Sequence, residues 1–159
     1  MLDLGVSSRQ LDDPDKGFSY RADGPLDLRF DQHTGRPACD LLAEADETDL
    51  ARILRDFGEE RGARSLARAI KGAGRTEPLR TTAQLTAVVT EALPDGAPVN
   101  AILSRVFQAL RIAVNDELGA LEQALDQSVR VLAAGGRLVV IAYHSLEDRI
   151  VKHTFRDLS

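Results

Sequence analysis

The sequence predicts an α/β fold in which a small sheet core is split by an all-helical insertion, and three observations carry that reading. Residues 2–19, LDLGVSSRQLDDPDKGFS, have the pattern of a strand tip running into a polar loop. Residues 135–152, GGRLVVIAYHSLEDRIVK, have a β-branched run that does the same. The stretch between them is helical in its periodicity almost throughout, so two strand ends distant in sequence are expected to meet at one crevice. Strand ends are where open α/β sheets keep their chemistry.

The chain starts with Met1-Leu2 ahead of Asp3, which leaves no room for a full strand. Gly5, Ser7, Ser8, Asp12, Asp13, Pro14, Asp15 and Gly17 then make a long loop, and long loops without secondary structure of their own are usually functional. A second turn-rich stretch, ADGPLDLRFDQHTGRP at 22–37, extends it. Helices are predicted over 47–57 with Asp46 or Thr48 as cap, over 59–71 ending in Gly-Ala-Gly at 72–74, over 81–93 stopped by Pro94-Asp95-Gly96, and over 101–112. After Asn115, the residues Leu118, Leu121, Leu125, Val129 and Leu132 keep one apolar face, and Gly135-Gly136 ends that helix. The run LVVIA within 137–143 suits a strand buried on both faces, which needs neighbouring strands and covering helices. These residues supply almost none, so both ends are expected to be cut relative to a functional protein, leaving apolar sheet edges exposed.

Composition bounds the function. With 159 residues, 43% hydrophobic and 28% charged, the chain has the make-up of a folded globular domain and not of a disordered one. Its single cysteine, Cys39, excludes an internal disulfide, and with His33, His144 and His153 it makes no zinc-ligand spacing. No signal peptide is visible and no apolar run approaches the roughly 18 residues of a membrane span, so a soluble, cytoplasmic protein without membrane partners is expected.

The net charge of −5 argues against a general nucleic-acid binder, but the charge is uneven. Between Leu50 and Arg80, eight basic residues face four acidic ones. Arg61, Arg64 and Arg68 recur at helical spacing and share a face. Such a face is either a solvated helix laced with Glu–Arg pairs or a phosphate-binding surface. Arg105 and Arg111 join it as candidate phosphate contacts. A serine hydrolase is disfavoured because no GxSxG elbow accompanies Ser7 or Ser8, His144 and Asp148. A calcium loop at DDPDKG lacks the twelve-residue ligand pattern and its terminal Glu.

Four segments in order, DLGVSSRQLDDPDKGFSYRADGPLDLRFD, FGEERGARSLARAI, VFQALRIAVNDEL and LAAGGRLVVIAYHSLEDRIVK, resemble the successive motifs of the bacterial 16S ribosomal RNA cytosine-N4 methyltransferases, the RsmH/MraW family. The resemblance covers essentially the whole chain. It implies part of a Rossmann-like class I methyltransferase core, residues 1–30 and 113–159, interrupted by a helical substrate-recognition domain over 31–112. It implies S-adenosylmethionine as cofactor and 16S rRNA or the small ribosomal subunit as partner, with a homodimer left open. The family's upstream glycine-rich loop and the acidic residue for the cofactor ribose do not occur in this sequence. Arg9 stands where the family usually has proline, and Tyr143 where it often has phenylalanine.

A cytosine amino group is a poor nucleophile because its lone pair is delocalised into the ring. Acceptors must therefore hold its N–H protons while it is aimed at a sulfonium methyl. Asp3 and the carbonyls of Leu4, Gly5 and Val6 stand where a strand end would present them, and Gly5 allows close approach of a planar ligand. By the resemblance, Asp3 and Gln10 match cofactor-contacting positions, with Asp3 and His144 as catalytic candidates. On residue type alone, Asp3 would more readily serve a turn or a helix cap. Ser7 and Ser8 could bond the cytosine edge or their own backbone. His144 could orient the base or be a structural histidine, and Ser145 with Asp148 could form a capping box, which does not exclude a role for Arg149 toward substrate. A target held in structured RNA would need splaying out and stacking, with Phe18, Tyr20 and Phe30 as the better candidates. The rival class is a non-catalytic helical module that binds RNA or a protein.

Overall fold

In the computed structural model, which describes residues 1–6 and 16–158, the two strand ends do meet. Strand β1, Leu2–Asp3, pairs in parallel with β2, Val140–Ile141, with Leu2 opposite Val140 and Asp3 opposite Ile141. Leu2 donates its N–H to the Val139 carbonyl at 2.8 Å and Leu4 to that of Ile141 at 3.1 Å. The expected strand over 137–143 thus shrinks to two paired residues. Its burial on both faces is also corrected, since Val139 is 52% and Ile141 40% exposed. The reason is that β2 has only β1 beside it among the described residues.

The chain divides into two compact units, Met1–Ser7 with Asp116–Ser159, and Ser8–Asn115. The second is helical: α1 Ala38–Glu44, α2 Glu47–Asp56, α3 Ala63–Thr76, α4 Thr82–Glu91 and α5 Val99–Asn115. Its core is built from Leu50, Leu54, Leu66, Ile70, Leu85, Val89, Val106 and Leu110, all fully or almost fully buried. Asp46 caps α2 by accepting the Asp49 N–H, and Thr81 with Gln84 forms a reciprocal capping box on α4.

Two boundaries differ from expectation for local reasons. Helix α3 starts at Ala63 and not at 59, because Glu59 sits at φ +50 and the Glu60 carboxylate turns inward to accept the Gly62 N–H at 2.8 Å and Arg105 Nε at 2.7 Å. It then runs through Gly72 and Gly74, each of which costs about 1 kcal/mol relative to alanine, because the Ala63, Leu66, Ala67 and Ile70 face is buried and carries the helix onward. Helix α1 is an addition to the expected set. Lys71 on α3 closes its C-terminal end by donating Nζ to the carbonyls of Leu42 at 2.7 Å and Ala43 at 3.0 Å.

The turn-rich 22–37 segment is anchored to these helices. Leu26 and Leu28 are buried, Thr82 donates its hydroxyl to the Ala22 carbonyl, and Asn115 donates to the Leu28 carbonyl while accepting the Phe30 N–H.

The first unit holds α6, Glu117–Val131, and α7, Ser145–Asp157. Leu121, Leu125 and Val151 form its core, with Leu2, Leu4, Leu138, Val140 and Ile150 packed against it. This places both strands on the helix pair. Helix α6 stops at Val131, short of the predicted Gly135-Gly136.

Candidate functional site

Side chains alternate along a strand, so residues two apart share a face. From the Asp3–Ile141 register, Gly5 and Tyr143 therefore fall side by side just beyond the strand ends, on the face of Asp3. The contacts bear this out. The Tyr143 hydroxyl donates to Asp3 Oδ1 at 2.9 Å, and a Cβ on Gly5 would lie 3.3 Å from Tyr143 Cδ2. Gly5 adopts φ +82, a conformation that disfavours any side chain. The planar group that Gly5 admits in this structure is thus the phenol ring of Tyr143. Both Asp3 and Tyr143 are exposed, the tyrosine at 68%. The hydrogen bond to Asp3, and then its negative charge, push the Tyr143 phenol above its ordinary range, so the hydroxyl stays a donor.

Behind this exposed pair lies a buried one. His144 is the N-cap of α7, its Nδ1 accepting the Glu147 N–H at 3.4 Å. Ser145 is the first helical residue, so the cap expected of Ser145 and Asp148 sits one residue earlier, on His144 and Glu147. The imidazole fills the cap because its Nδ1 can accept a backbone N–H as a hydroxyl would. Glu147 is only 4% exposed; its Oε2 accepts the Tyr143 N–H at 2.9 Å and its Oε1 lies 3.2 Å from His144 Nε2. That last contact is close but poorly aligned, leaving Nε2 without a hydrogen bond. Burial alone would push the Glu147 carboxyl up; the His144 ring and the Tyr143 N–H outweigh it and hold the group below its usual range.

His144 is therefore placed in a cap, turned toward Glu147, while the residue that reaches Asp3 is Tyr143. From sequence, Tyr143 stands out only as a departure from the resembled family, and its link to Glu147 does not show. The period of two on β2, read in register with β1, would have found the tyrosine, and the three-residue step from His144 the glutamate. Ser145 and Arg149 lie exposed on the first turns of α7. Gln10, Ser7 and Ser8 lie outside the described residues.

The basic candidates belong to the helical unit. Arg61, Arg64 and Arg68 are all exposed along and just ahead of α3. Arg68 pairs with Glu47 at 3.3 Å, and Arg52 and Arg55 pair with Asp49 and Asp56. Arg111 is half-buried on α5. Arg105 is committed to the buried Glu60 carboxylate and acts as a structural ion pair, which corrects its reading as a phosphate contact. The stacking candidates make ring contacts of their own, and Phe30 keeps 36% of its surface exposed. Phe18 is buried against Phe30 with ring centroids 5.6 Å apart, and Tyr20 packs edge-on to Phe107. Among the described residues, no cluster of His, Cys, Asp and Glu side chains is arranged to hold a metal ion, and no helix is long and apolar enough to cross a membrane.

Comparison with known proteins gives one consistent result. The model of the MraW methylase family matches residues 1–159. A ribosomal RNA small subunit methyltransferase H from Methylococcus capsulatus is 53% identical over 157 residues, covering 99% of this chain and 52% of the relative. The protein of the same name from Granulibacter bethesdensis is 52% identical over 157 residues, 99% of this chain and 47% of its own length. That from Prosthecochloris aestuarii is 53% identical over 160 residues, 100% of this chain and 48% of its own length. The chain spans about half the length of the curated relatives it matches.

Proposed function

The chain belongs to the MraW methylase family, and from that premise we propose that it forms part of an S-adenosylmethionine-dependent methyltransferase acting on the exocyclic N4 of a cytidine in 16S ribosomal RNA. The observation that carries the reading is an exposed carboxylate, Asp3, at the C-terminal end of one of two adjacent parallel strands. The unit of β1, β2, α6 and α7 is then a portion of a Rossmann-like class I core. The helical unit is the inserted recognition domain, expected over 31–112 and taken here with the 22–30 segment that packs on it.

These residues suit the chemistry. When bound, S-adenosylmethionine supplies an electrophilic methyl on a sulfonium. Asp3 can accept one N–H of the cytosine amine, which raises electron density on nitrogen and orients its lone pair. The backbone at Gly5 leaves room for a flat group beside that carboxylate. After transfer, the methylated amine is strongly acidic and can lose its proton to solvent, so no buried base is required. His144, turned into the α7 cap, supports the loop behind Tyr143, and Ser145 and Arg149 border the same strand end. Asp3, together with Gln10, is also proposed for the cofactor, Ser7 and Ser8 for the substrate, and Arg61, Arg64, Arg68 and Arg111 for RNA phosphates. The cytoplasm, where small subunits assemble, is the fitting compartment.

The test is S-adenosylmethionine binding by calorimetry, comparing this chain with the complete gene product. Binding by the complete product, lost on Asp3→Ala, is expected. No binding by either would return the helical RNA- or protein-binding module to first place.

A further inference from the structure

The strand-end geometry contains a residue that acts on the reactive carboxylate without needing to touch the substrate. We propose that Tyr143, seated by the buried Glu147, is a positioning residue that fixes the Asp3 carboxylate for methyl transfer; this rests on the methyltransferase reading above.

A carboxylate on an exposed strand tip turns freely about its last bond, and each orientation it samples dilutes the one that accepts an amine proton. In this chain, one oxygen, Oδ1, is already held by the Tyr143 hydroxyl at 2.9 Å. Oδ2 has no partner from the described residues in that pairing, which leaves it to serve as acceptor. The phenol can do this only if its own place is fixed. Two contacts fix it: its backbone N–H donates to Glu147 Oε2 at 2.9 Å, and its ring lies over Gly5, so close that a Cβ there would stand 3.3 Å from Cδ2. Glu147 is in turn enclosed at the start of α7, beside the His144 ring. An ordered path thus runs from a buried carboxylate through the tyrosine to an exposed one. The phenol keeps its proton under the influence of Asp3, so the donor is constant across the working pH range.

Tyr143→Phe removes the hydroxyl and keeps the ring over Gly5. In the complete gene product, with S-adenosylmethionine and small ribosomal subunits, kcat should fall about three- to tenfold, the range of a hydrogen bond to an exposed charged group. The KM for S-adenosylmethionine and the thermal midpoint should stay near wild type. A merely structural tyrosine would move the midpoint, and a cofactor-binding one would move KM. An unchanged kcat, or a loss carried wholly by KM, overturns the proposal. Ultraviolet titration of the two tyrosines, Tyr20 and Tyr143, reads the contact without any turnover. One phenol should titrate above its ordinary range and return to it in Asp3→Asn; two ordinary titrations would overturn the contact itself. Wild-type protein that transfers no methyl group would overturn the function on which the proposal rests, whereas full wild-type turnover unaltered by Tyr143→Phe overturns the positioning role alone.

Discussion

Replacing Glu147 by alanine should loosen the junction between β2 and α7, and the size of the effect follows from its contacts. The carboxylate is 4% exposed, accepts the Tyr143 N–H at 2.9 Å and sits 3.2 Å from His144 Nε2. A hydrogen bond to a charged group contributes about 1.5–3 kcal/mol, and the alanine variant leaves the Tyr143 N–H without its acceptor. Burying the carboxylate costs part of that gain in wild type, so the net loss should be about 2 kcal/mol. Glu147→Gln keeps an acceptor for the N–H and gives up only the charge, so it should lose about half as much. The chain has no tryptophan, so urea unfolding is best followed by far-ultraviolet circular dichroism. Amide hydrogen exchange over residues 143–148 then localises the change. A loss below about 0.5 kcal/mol for alanine, or equal losses for alanine and glutamine, would refute the claim that a buried, charged acceptor holds Tyr143.

Acid should act on the same group. With the folded carboxyl of Glu147 held below its ordinary 4.5, its stabilisation is complete above that value and vanishes as pH falls through the depressed one. Protection at 143–148 in wild type, corrected for the intrinsic slowing of exchange in acid, should therefore fall on acidification in that window, and Glu147→Gln should flatten the response. Gly58→Ala should destabilise the helical unit by about 1–3 kcal/mol in urea unfolding, because the new Cβ would lie 2.7 Å from the Arg105 and Leu54 carbonyls, both backbone atoms. If Arg61 and Arg64 meet RNA phosphates, changing both to glutamine should weaken binding uniformly across sequences and lower the salt slope by about 2, measured by filter binding at several salt concentrations. An unchanged slope would make that face a solvated one.

Much of the architecture was legible because the signals were local and repeated. Apolar periodicity and capping residues such as Asp46 and Thr81 set most helices, and the strand-to-loop pattern at both chain ends implied a shared crevice. What escaped notice depended on contacts distant in sequence. The late start of α3 needs Glu60 to meet Arg105, forty-five positions away. Helix α1, only seven residues long, is held by Lys71 from another helix, and a short segment with two buried side chains gives little periodic signal. Arg105 looked like a surface arginine because nothing in its own helix announces the buried Glu60. At the site, Asp3 and His144 were visible as residue types, but the partnering was not. A tyrosine on an apolar strand reads as packing until the register with β1 sets its hydroxyl beside a carboxylate. That the His144 ring fills a helix cap is likewise visible only in the fold.

The measurement that bears most directly on the central claim is methyl transfer itself. The complete gene product would be incubated with small ribosomal subunits and S-adenosylmethionine carrying a labelled methyl group, and the RNA digested to nucleosides for mass spectrometry. Label in N4-methylcytidine, abolished by Asp3→Ala and reduced but not lost in Tyr143→Phe, is the predicted result. Label on another base or ring position, or full transfer by Asp3→Ala, would contradict the assignment of the β1 carboxylate to a cytosine amine.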